Sequence, residues 1–483
     1  MSTRQAISNA RWVGVNQVAR LSIQFISIAV LSRLLSPSDF GLMAMAAVVT
    51  NLGLLFRDLG TAAALIQRRE LSNDVIDTVF WLNIAFGSAV AACVAIMAPF
   101  ASRLFHAPAL ANILMVISLT FPISAVGASQ LALFERDSRF RLITWIETSS
   151  AVAGLIIAIA CALNHMGVYS FVFQALVTGA MSSLQIWLHS SHRPRWLWDQ
   201  QAFKSIWHFS GNLTAFNLIN YTIRNGDSIL IGRILGSVSL GWYSVANRVL
   251  LFPLQNITYS SNRALLPVYS RYQDEPATLR HLYMRTLALI GSITAPLMFG
   301  LWALRRPFVL AAFGNKWDPV VDILTWFAPM GFFQSLLSTV GAILSAIGRT
   351  DLMRTMGLIN SIILVSAFVF GIQFGLRGLA VAYFGATLLI TLTTLQVTLK
   401  KIGSDVIELM RGIWKQTLCA VAITILLSAL NSLLTPVMPP IIILAVLVPV
   451  GLVAYVLLLY FCSRPVLIDV WKTLSHRTPV VAS

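Results

Sequence analysis

The chain has 483 residues, of which 57% are hydrophobic and only 11% charged, with a mean hydropathy of +0.78. A soluble domain carries about 25% charged residues, so this composition excludes an ordinary water-soluble enzyme and makes lipid the principal solvent. The 34 Lys and Arg against 18 Asp and Glu, formally +16, would fit a nucleic-acid binder in water, but in a polytopic membrane protein basic loops at one face explain the same excess.

At the N-terminus, Arg4 and Arg11 precede an apolar run in the manner of a signal peptide. Asn16, Gln17, Arg20 and Gln24 interrupt that run and no A-x-A site follows, which predicts a retained first helix. A hydrocarbon core of ~30 Å needs about 20 apolar residues per crossing. On that measure 14 segments qualify, at 12–32, 41–66, 78–101, 110–133, 143–163, 166–190, 207–232, 240–262, 283–304, 319–347, 353–374, 376–399, 416–435 and 440–461. The expected fold is therefore an all-α polytopic membrane protein.

The placement of Lys and Arg tests this count. With successive loops assigned to alternate sides, 23 fall on the side of the N-terminus and 7 on the other, a bias that puts both termini in the cytoplasm. Loops are short on both sides, which leaves no soluble domain to hold independent chemistry.

An internal repeat is legible at an offset of 200, with chance similarity between two apolar helix ends as the alternative. Leu31-Ser32-Arg33-Leu34-Leu35-Ser36-Pro37-Ser38-Asp39-Phe40-Gly41 aligns without a gap on Ile231-Gly232-Arg233-Ile234-Leu235-Gly236-Ser237-Val238-Ser239-Leu240-Gly241. In the preceding helices, Gln17, Arg20, Gln24 and Ser27 match Asn217, Asn220, Arg224 and Asp227 in position. Steps of 3, 4 and 3 put each set on one helix face, a polar stripe on an apolar rod. Six spans separate the copies, so both run in the same direction through the membrane. The expectation is two pseudo-symmetric parallel-repeat bundles around a central cavity, as in transporters whose halves rock about a midplane site.

The expected boundaries are an N-terminal six-helix bundle at 1–190, a basic linker at 191–206, a second six-helix bundle at 207–400, an additional helix pair at 401–463 and a cytoplasmic tail at 464–483.

Charges at bilayer depth are costly and usually face a bundle interior or a watery cavity. Here they are Arg20 in the first helix, Arg57 and Asp58 in the second, Arg224 and Asp227 in the seventh, and Arg248 in the eighth. Arg224 and Asp227, three apart, can also pair with each other, and Asp58-Leu59-Gly60 also reads as a helix break near the interface. Arg20 and Arg248 have no carboxylate partner within their own helices. A guanidinium stays charged at any working pH and holds phosphate through a fork of donors, so Arg20, Arg224 and Arg248 suit a diphosphate or acidic sugar. Asn16, Gln17, Gln24, Asn217, Asn220, Asn247, Gln255 and Asn256 supply amides for sugar hydroxyls. The substrate-binding set is thus Arg20, Gln24, Asn220, Arg224 and Arg248, with Asp58 and Asp227 as candidate ion-coupling carboxylates.

Other features read more plainly. Cys93, Cys161, Cys419 and Cys462 are far apart, no His has a ligand-spaced neighbour, and neither a disulfide framework nor a metal site is indicated. There is no GxSxG, HExxH, P-loop or GxGxxG, so no catalytic residue and no cofactor is expected. Phe313 to Pro319 reads as an outer loop ending in an Asp N-cap, Pro at N1 and an interfacial Trp317. Pro253, Pro296 and Pro329 would kink their spans, and His192 to Lys204 reads as a basic strap at the inner surface.

Four stretches together resemble a known family: Leu34-Leu35-Ser36-Pro37-Ser38-Asp39-Phe40-Gly41-Leu42; Asp58-Leu59-Gly60 with Ala64-Leu65-Ile66-Gln67-Arg68-Arg69-Glu70; Glu135-Arg136-Asp137-Ser138-Arg139-Phe140; and Phe313-Gly314-Asn315-Lys316-Trp317. The chain resembles, from about Arg4 to about Pro465, the Wzx-type polysaccharide exporters, especially the branch with the colanic acid and succinoglycan exporters. These belong to one superfamily, MOP, with the MATE multidrug extruders and the lipid II flippases. The resemblance implies a bacterial inner-membrane flippase for exopolysaccharide biosynthesis, not an enzyme. It would move undecaprenyl-diphosphate-linked oligosaccharide from the cytoplasmic to the periplasmic leaflet by alternating access, driven by a proton or sodium gradient. A polysaccharide polymerase and co-polymerase are candidate partners, and nucleic acid is not. In that family helices 1, 2, 7 and 8 line the cavity. Arg57 departs from the pattern, since relatives often carry a small or polar residue there. The rival readings are a MATE-like small-molecule antiporter and a membrane polysaccharide polymerase or ligase.

Overall fold

Ser36, Pro37 and Asp39 fix the first sharp turn of the chain. The Asp39 carboxylate accepts from the Ser36 backbone N–H at 2.9 Å and from its hydroxyl at 2.6 Å, while the Ser36 hydroxyl accepts from the Asp39 N–H at 3.3 Å. This reciprocal box, with Pro at the first helical position, starts α2 (Pro37–Arg57) directly after α1 (Thr3–Leu34). The structure is a computed structural model that describes residues 3–57, 65–66, 72–196, 221, 225–464 and 468. Every regular element among the described residues is helical.

Two compact units emerge, Met1–Gly241 and Trp242–Ser483. The first contains α1, α2, α3 (Asn73–Leu104), α4 (Ala109–Ile117), α5 (Thr120–Arg136), α6 (Phe140–Leu163), α7 (Tyr169–His189) and α8 (Gly226–Ile234). α1 lies on α6, α6 pairs with α7, and α3 packs on α5. Small residues let these rods approach: a Cβ on Gly154 of α6 would lie 2.0 Å from the Thr178 hydroxyl of α7, and one on Gly87 of α3 would lie 2.8 Å from the Ala125 Cβ of α5.

The second unit holds α9 (Gly236–Arg271) from Trp242 onward, α10 (Pro276–Ala303), α11 (Arg305–Ala312), α12 (Asp318–Leu337), α13 (Val340–Ala346), α14 (Thr350–Gly371), α15 (Gly375–Lys401), α16 (Val406–Leu434) and α17 (Pro440–Cys462). Its core runs through α10, α12, α13, α16 and α17, with Leu287, Met298, Ile343 and Leu447 at most 1% exposed. Buried hydroxyls stitch it: Tyr455 donates to the Ser292 carbonyl at 2.7 Å, and the Thr294 and Ser335 hydroxyls pair at 2.8 Å. At one end, Arg280 of α10 pairs with Glu408 of α16 and donates to the Gly403 carbonyl at 2.9 Å.

Ten described stretches are long and apolar enough to cross a membrane, and the longest, Thr350–Lys401, contains both α14 and α15. The close pairs near 164 and 375 are divided where the sequence suggested, between Leu163 and Tyr169 and between Gly371 and Gly375. The expected spans 110–133 and 319–347 each fall within one membrane-crossing stretch, Ala109–Arg136 and Asn315–Ala346, which is interrupted at Ser118–Leu119 and at Ser338–Thr339, where the Ser turns its hydroxyl back to a carbonyl three residues earlier. α10 and α12 continue through Pro296 and Pro329. Trp317 does not face outward. Gly314, with φ of +93°, leads into a 3₁₀ turn at Asn315–Trp317 that buries the indole completely, against Phe313 at 6.4 Å.

Candidate functional site

α1 carries the first polar stripe. At about 100° per residue, Asn16 and Ser27 lie within about 20° of each other, with Arg20, Gln24 and Gln17 progressively further round. The edge holding Asn16 and Ser27 docks: the Asn16 amide donates to Glu147 of α6 at 2.7 Å, and Gln174 of α7 donates to the Ser27 hydroxyl at 3.2 Å. The Thr144 hydroxyl adds a bond to the Trp12 carbonyl at 3.3 Å. These bonds set the rotation of α1, so Arg20 and Gln24 are left exposed on its free side. Neither side chain has a hydrogen-bond or ion-pair partner among the described residues.

Arg248 sits on α9 in the second unit. Tyr243, Ala246 and Leu250 form the buried face of that helix, with Tyr243 edge-on to Phe327 of α12 at 5.6 Å. A Cβ on Gly331 of α12 would lie 2.7 Å from Leu250 Cδ1, so the two helices are in close contact. Arg248 projects from the other face, exposed and without a partner among the described residues. An exposed, unpaired guanidinium on an apolar rod is stable only where water or an anion reaches it.

Asp227 of α8 is 8% exposed and accepts from the Ser228 N–H at 2.6 Å. Its counterpart at the 200-residue offset is Ser27, which is 9% exposed, and the agreement extends along the repeat. Leu31 and Ile231 are buried, Arg33 and Arg233 exposed, Phe40 and Leu240 buried, and Gly41 and Gly241 buried. The copies also meet reciprocally: a Cβ on Gly41 would lie 1.7 Å from the Ser237 carbonyl oxygen, and one on Gly241 would lie 1.9 Å from that of Pro37. The Ser38 and Ser237 hydroxyls pair at 2.8 Å beside this crossing.

Asp58, Asn220 and Arg224 lie outside the described residues, as do Asn217 and the side chain of Arg57. Two polar features escaped the sequence reading. Glu147 is a carboxylate inside an apolar span, and its depth alone would have flagged it. Asp77 of α3 is wholly buried, with one oxygen 2.7 Å from His192 Nε2, and a pair 115 residues apart leaves no local signal. Around it, Trp81 Nε1 donates to the Arg195 carbonyl at 2.9 Å and Trp196 stacks edge-on to Trp81 at 4.3 Å, which ties the start of the basic strap to α3. Among the described residues no cluster of His, Cys, Asp or Glu could hold a metal.

The long apolar helices and the polar stripe on α1 define a polytopic helical membrane protein. The fold is similar to that of the lipid II flippase MurJ in its inward closed conformation, with a TM-score of 0.70, 14% identity, and 95% of this chain and 99% of that one covered. It is also similar to an inward-facing MATE multidrug resistance transporter of the MOP superfamily, with a TM-score of 0.59, 14% identity, and coverage of 80% and 94%. The model of the polysaccharide biosynthesis protein family matches residues 30–322, and the chain belongs to that family. Its relatives include the lipopolysaccharide biosynthesis protein WzxC of Escherichia coli K12, 26% identical over 86% of this chain and 85% of that protein. Another is the succinoglycan biosynthesis transport protein ExoT of Rhizobium meliloti, 25% identical over 77% and 75%.

Proposed function

We propose that the protein flips undecaprenyl-diphosphate-linked oligosaccharide repeat units from the cytoplasmic to the periplasmic leaflet of the bacterial inner membrane, for exopolysaccharide biosynthesis. The observation that carries this reading is the set of exposed, unpartnered polar groups on membrane rods: Arg20 and Gln24 on α1 and Arg248 on α9. Guanidinium groups grip the diphosphate and amides serve the sugar hydroxyls, with Asn220 and Arg224 completing the set. The family membership supports a role in polysaccharide synthesis, and the likeness to ExoT, a transport protein, and to MurJ, a lipid II flippase, supports movement of the unit over polymerisation.

The cargo's head group would engage these polar side chains while its lipid tail stays in hydrocarbon. Alternating access would be coupled to a proton or sodium gradient through Asp227 and Asp58. Asp227 is the better supported of the two, because it is a carboxylate only 8% exposed on a largely apolar helix. Both termini lie in the cytoplasm on the 23-to-7 distribution of Lys and Arg. A polymerase and a co-polymerase would consume the flipped unit.

The test is a strain lacking the gene. The diphosphate-linked unit should accumulate in the inner leaflet while secreted polysaccharide disappears, with reversal by the intact gene. Appearance of the unit outside but unpolymerised would favour the polymerase reading, and loss of drug resistance with normal polysaccharide would favour the MATE-like antiporter.

A further inference from the structure

In the second unit, α14 and α15 line an open apolar groove of about 710 Å³. Its floor consists of Gly371, Gly378, Ala382 and Gly385. At Gly371 and Gly378 a side chain is sterically forbidden, because a Cβ there would lie 2.7 Å from the Ala382 Cβ and 2.4 Å from the Phe374 Cβ. Gly385 has nothing within 4 Å of such an atom, so the trough is open at that point. Phe370 and Phe374, 63% and 66% exposed, form a wall that two packed helices would ordinarily have covered.

The groove is not uniformly apolar. Arg377 lines its end, exposed and without a partner among the described residues. It stands in the first turn of α15, whose free N–H groups give that helix end a partial positive charge. Cation and helix terminus together are complementary to an anionic head, and a guanidinium holds phosphate in particular. From Arg377 to Leu389 the groove follows twelve residues of helix, about 18 Å at 1.5 Å per residue. That is close to half of a ~30 Å hydrocarbon core, the depth of one leaflet.

We propose that this groove is a binding site for one anionic phospholipid, with its phosphate on Arg377 and an acyl chain along Gly378, Ala382 and Gly385. The length selects a phospholipid over a polyprenyl chain, since a trough that stops at mid-bilayer fits an acyl chain of one leaflet and is overrun by a polyprenol. The assignment rests on the membrane-embedded fold and is independent of the cargo the protein carries. A lipid held here would fasten α14 to α15 at the end where their glycines leave the fewest side-chain contacts.

The test uses the full chain in phosphatidylcholine vesicles containing a phosphatidylglycerol with a photoactivatable diazirine at the end of one acyl chain. After irradiation, label should concentrate on the peptide containing Ala386 and Leu389, and unlabelled phosphatidylglycerol should displace it while phosphatidylcholine does not. Gly385→Leu, which fills the trough and improves helix propensity, should abolish the labelling. Arg377→Gln should reduce it about tenfold, the worth of one charge-assisted contact, with partial rescue by Arg377→Lys. Should either variant fail to insert, the displacement experiment on the unmodified chain decides. Label spread evenly over lipid-facing helices such as α17, or equal labelling of both variants, would overturn the proposal. Stronger displacement by a polyprenyl phosphate than by phosphatidylglycerol would reassign the groove to the cargo's tail and overturn it too.

Discussion

Gly41 and Gly241 offer a sharp test of the internal duplication, because each sits against the other copy's backbone. Alanine at either position puts a methyl 1.7 Å from the Ser237 oxygen or 1.9 Å from the Pro37 oxygen. An ordinary carbon–oxygen contact is about 3.3 Å, so the first turns of α2 and α9 must separate by about 1.5 Å, and no flexible side chain can absorb the shift. Overpacking of this kind costs about 1–3 kcal/mol, offset by up to ~1 kcal/mol from the better helix propensity of alanine. Gly412→Ala on α16, where nothing lies within 4 Å, supplies the control and should be neutral or stabilising. The reciprocal geometry makes a stronger claim: once one methyl has opened the crossing, the second finds space already made. The double substitution should therefore cost less than the sum of the singles, by about 1 kcal/mol, within the range seen for residues in contact. Thermal or denaturant unfolding of the purified protein reads all four variants. Strict additivity, or singles as benign as Gly412→Ala, would refute the reasoning.

Arg20→Ala and Arg248→Ala should each abolish polysaccharide secretion while the protein still inserts, as judged by membrane fractionation; normal secretion from both would remove the anion-binding role. Asp227→Asn should flatten the dependence of transport on the proton or sodium gradient, and an unchanged dependence would exclude this residue as the coupling group. His192→Leu strands the buried Asp77 carboxylate and should destabilise the protein by about 3–5 kcal/mol. Pairing it with Asp77→Leu should recover most of that loss, and a double variant as unstable as the single would show that the pair is not what holds the strap.

Much of this architecture is set by features that a sequence carries openly. Apolar run length against bilayer thickness fixes the class, and the basic bias fixes the expected orientation. The Ser36-Pro37-Asp39 cap is a local hydrogen-bond pattern, so its residues announce the turn they make. The repeat at offset 200 is legible because the same burial is imposed on both copies, down to Ser27 and Asp227.

Periodicity shows which residues share a helix face but not what covers that face, and that is where tertiary structure decides. On α1 the polar stripe is one feature in sequence, yet Glu147 and Gln174 claim its Asn16 and Ser27 edge and thereby leave Arg20 and Gln24 accessible. Trp317 carries the composition of an interfacial anchor, but the turn after Gly314 swings it into the core. Asp77 and His192 meet across 115 residues, and Gly41 meets Ser237 across most of the first unit. Such contacts depend on the approach of distant helices, which small residues permit but do not specify. The chain by itself thus determined that long apolar helices carry polar stripes and which residues share each face, and only packing chose which of those polar residues stay exposed.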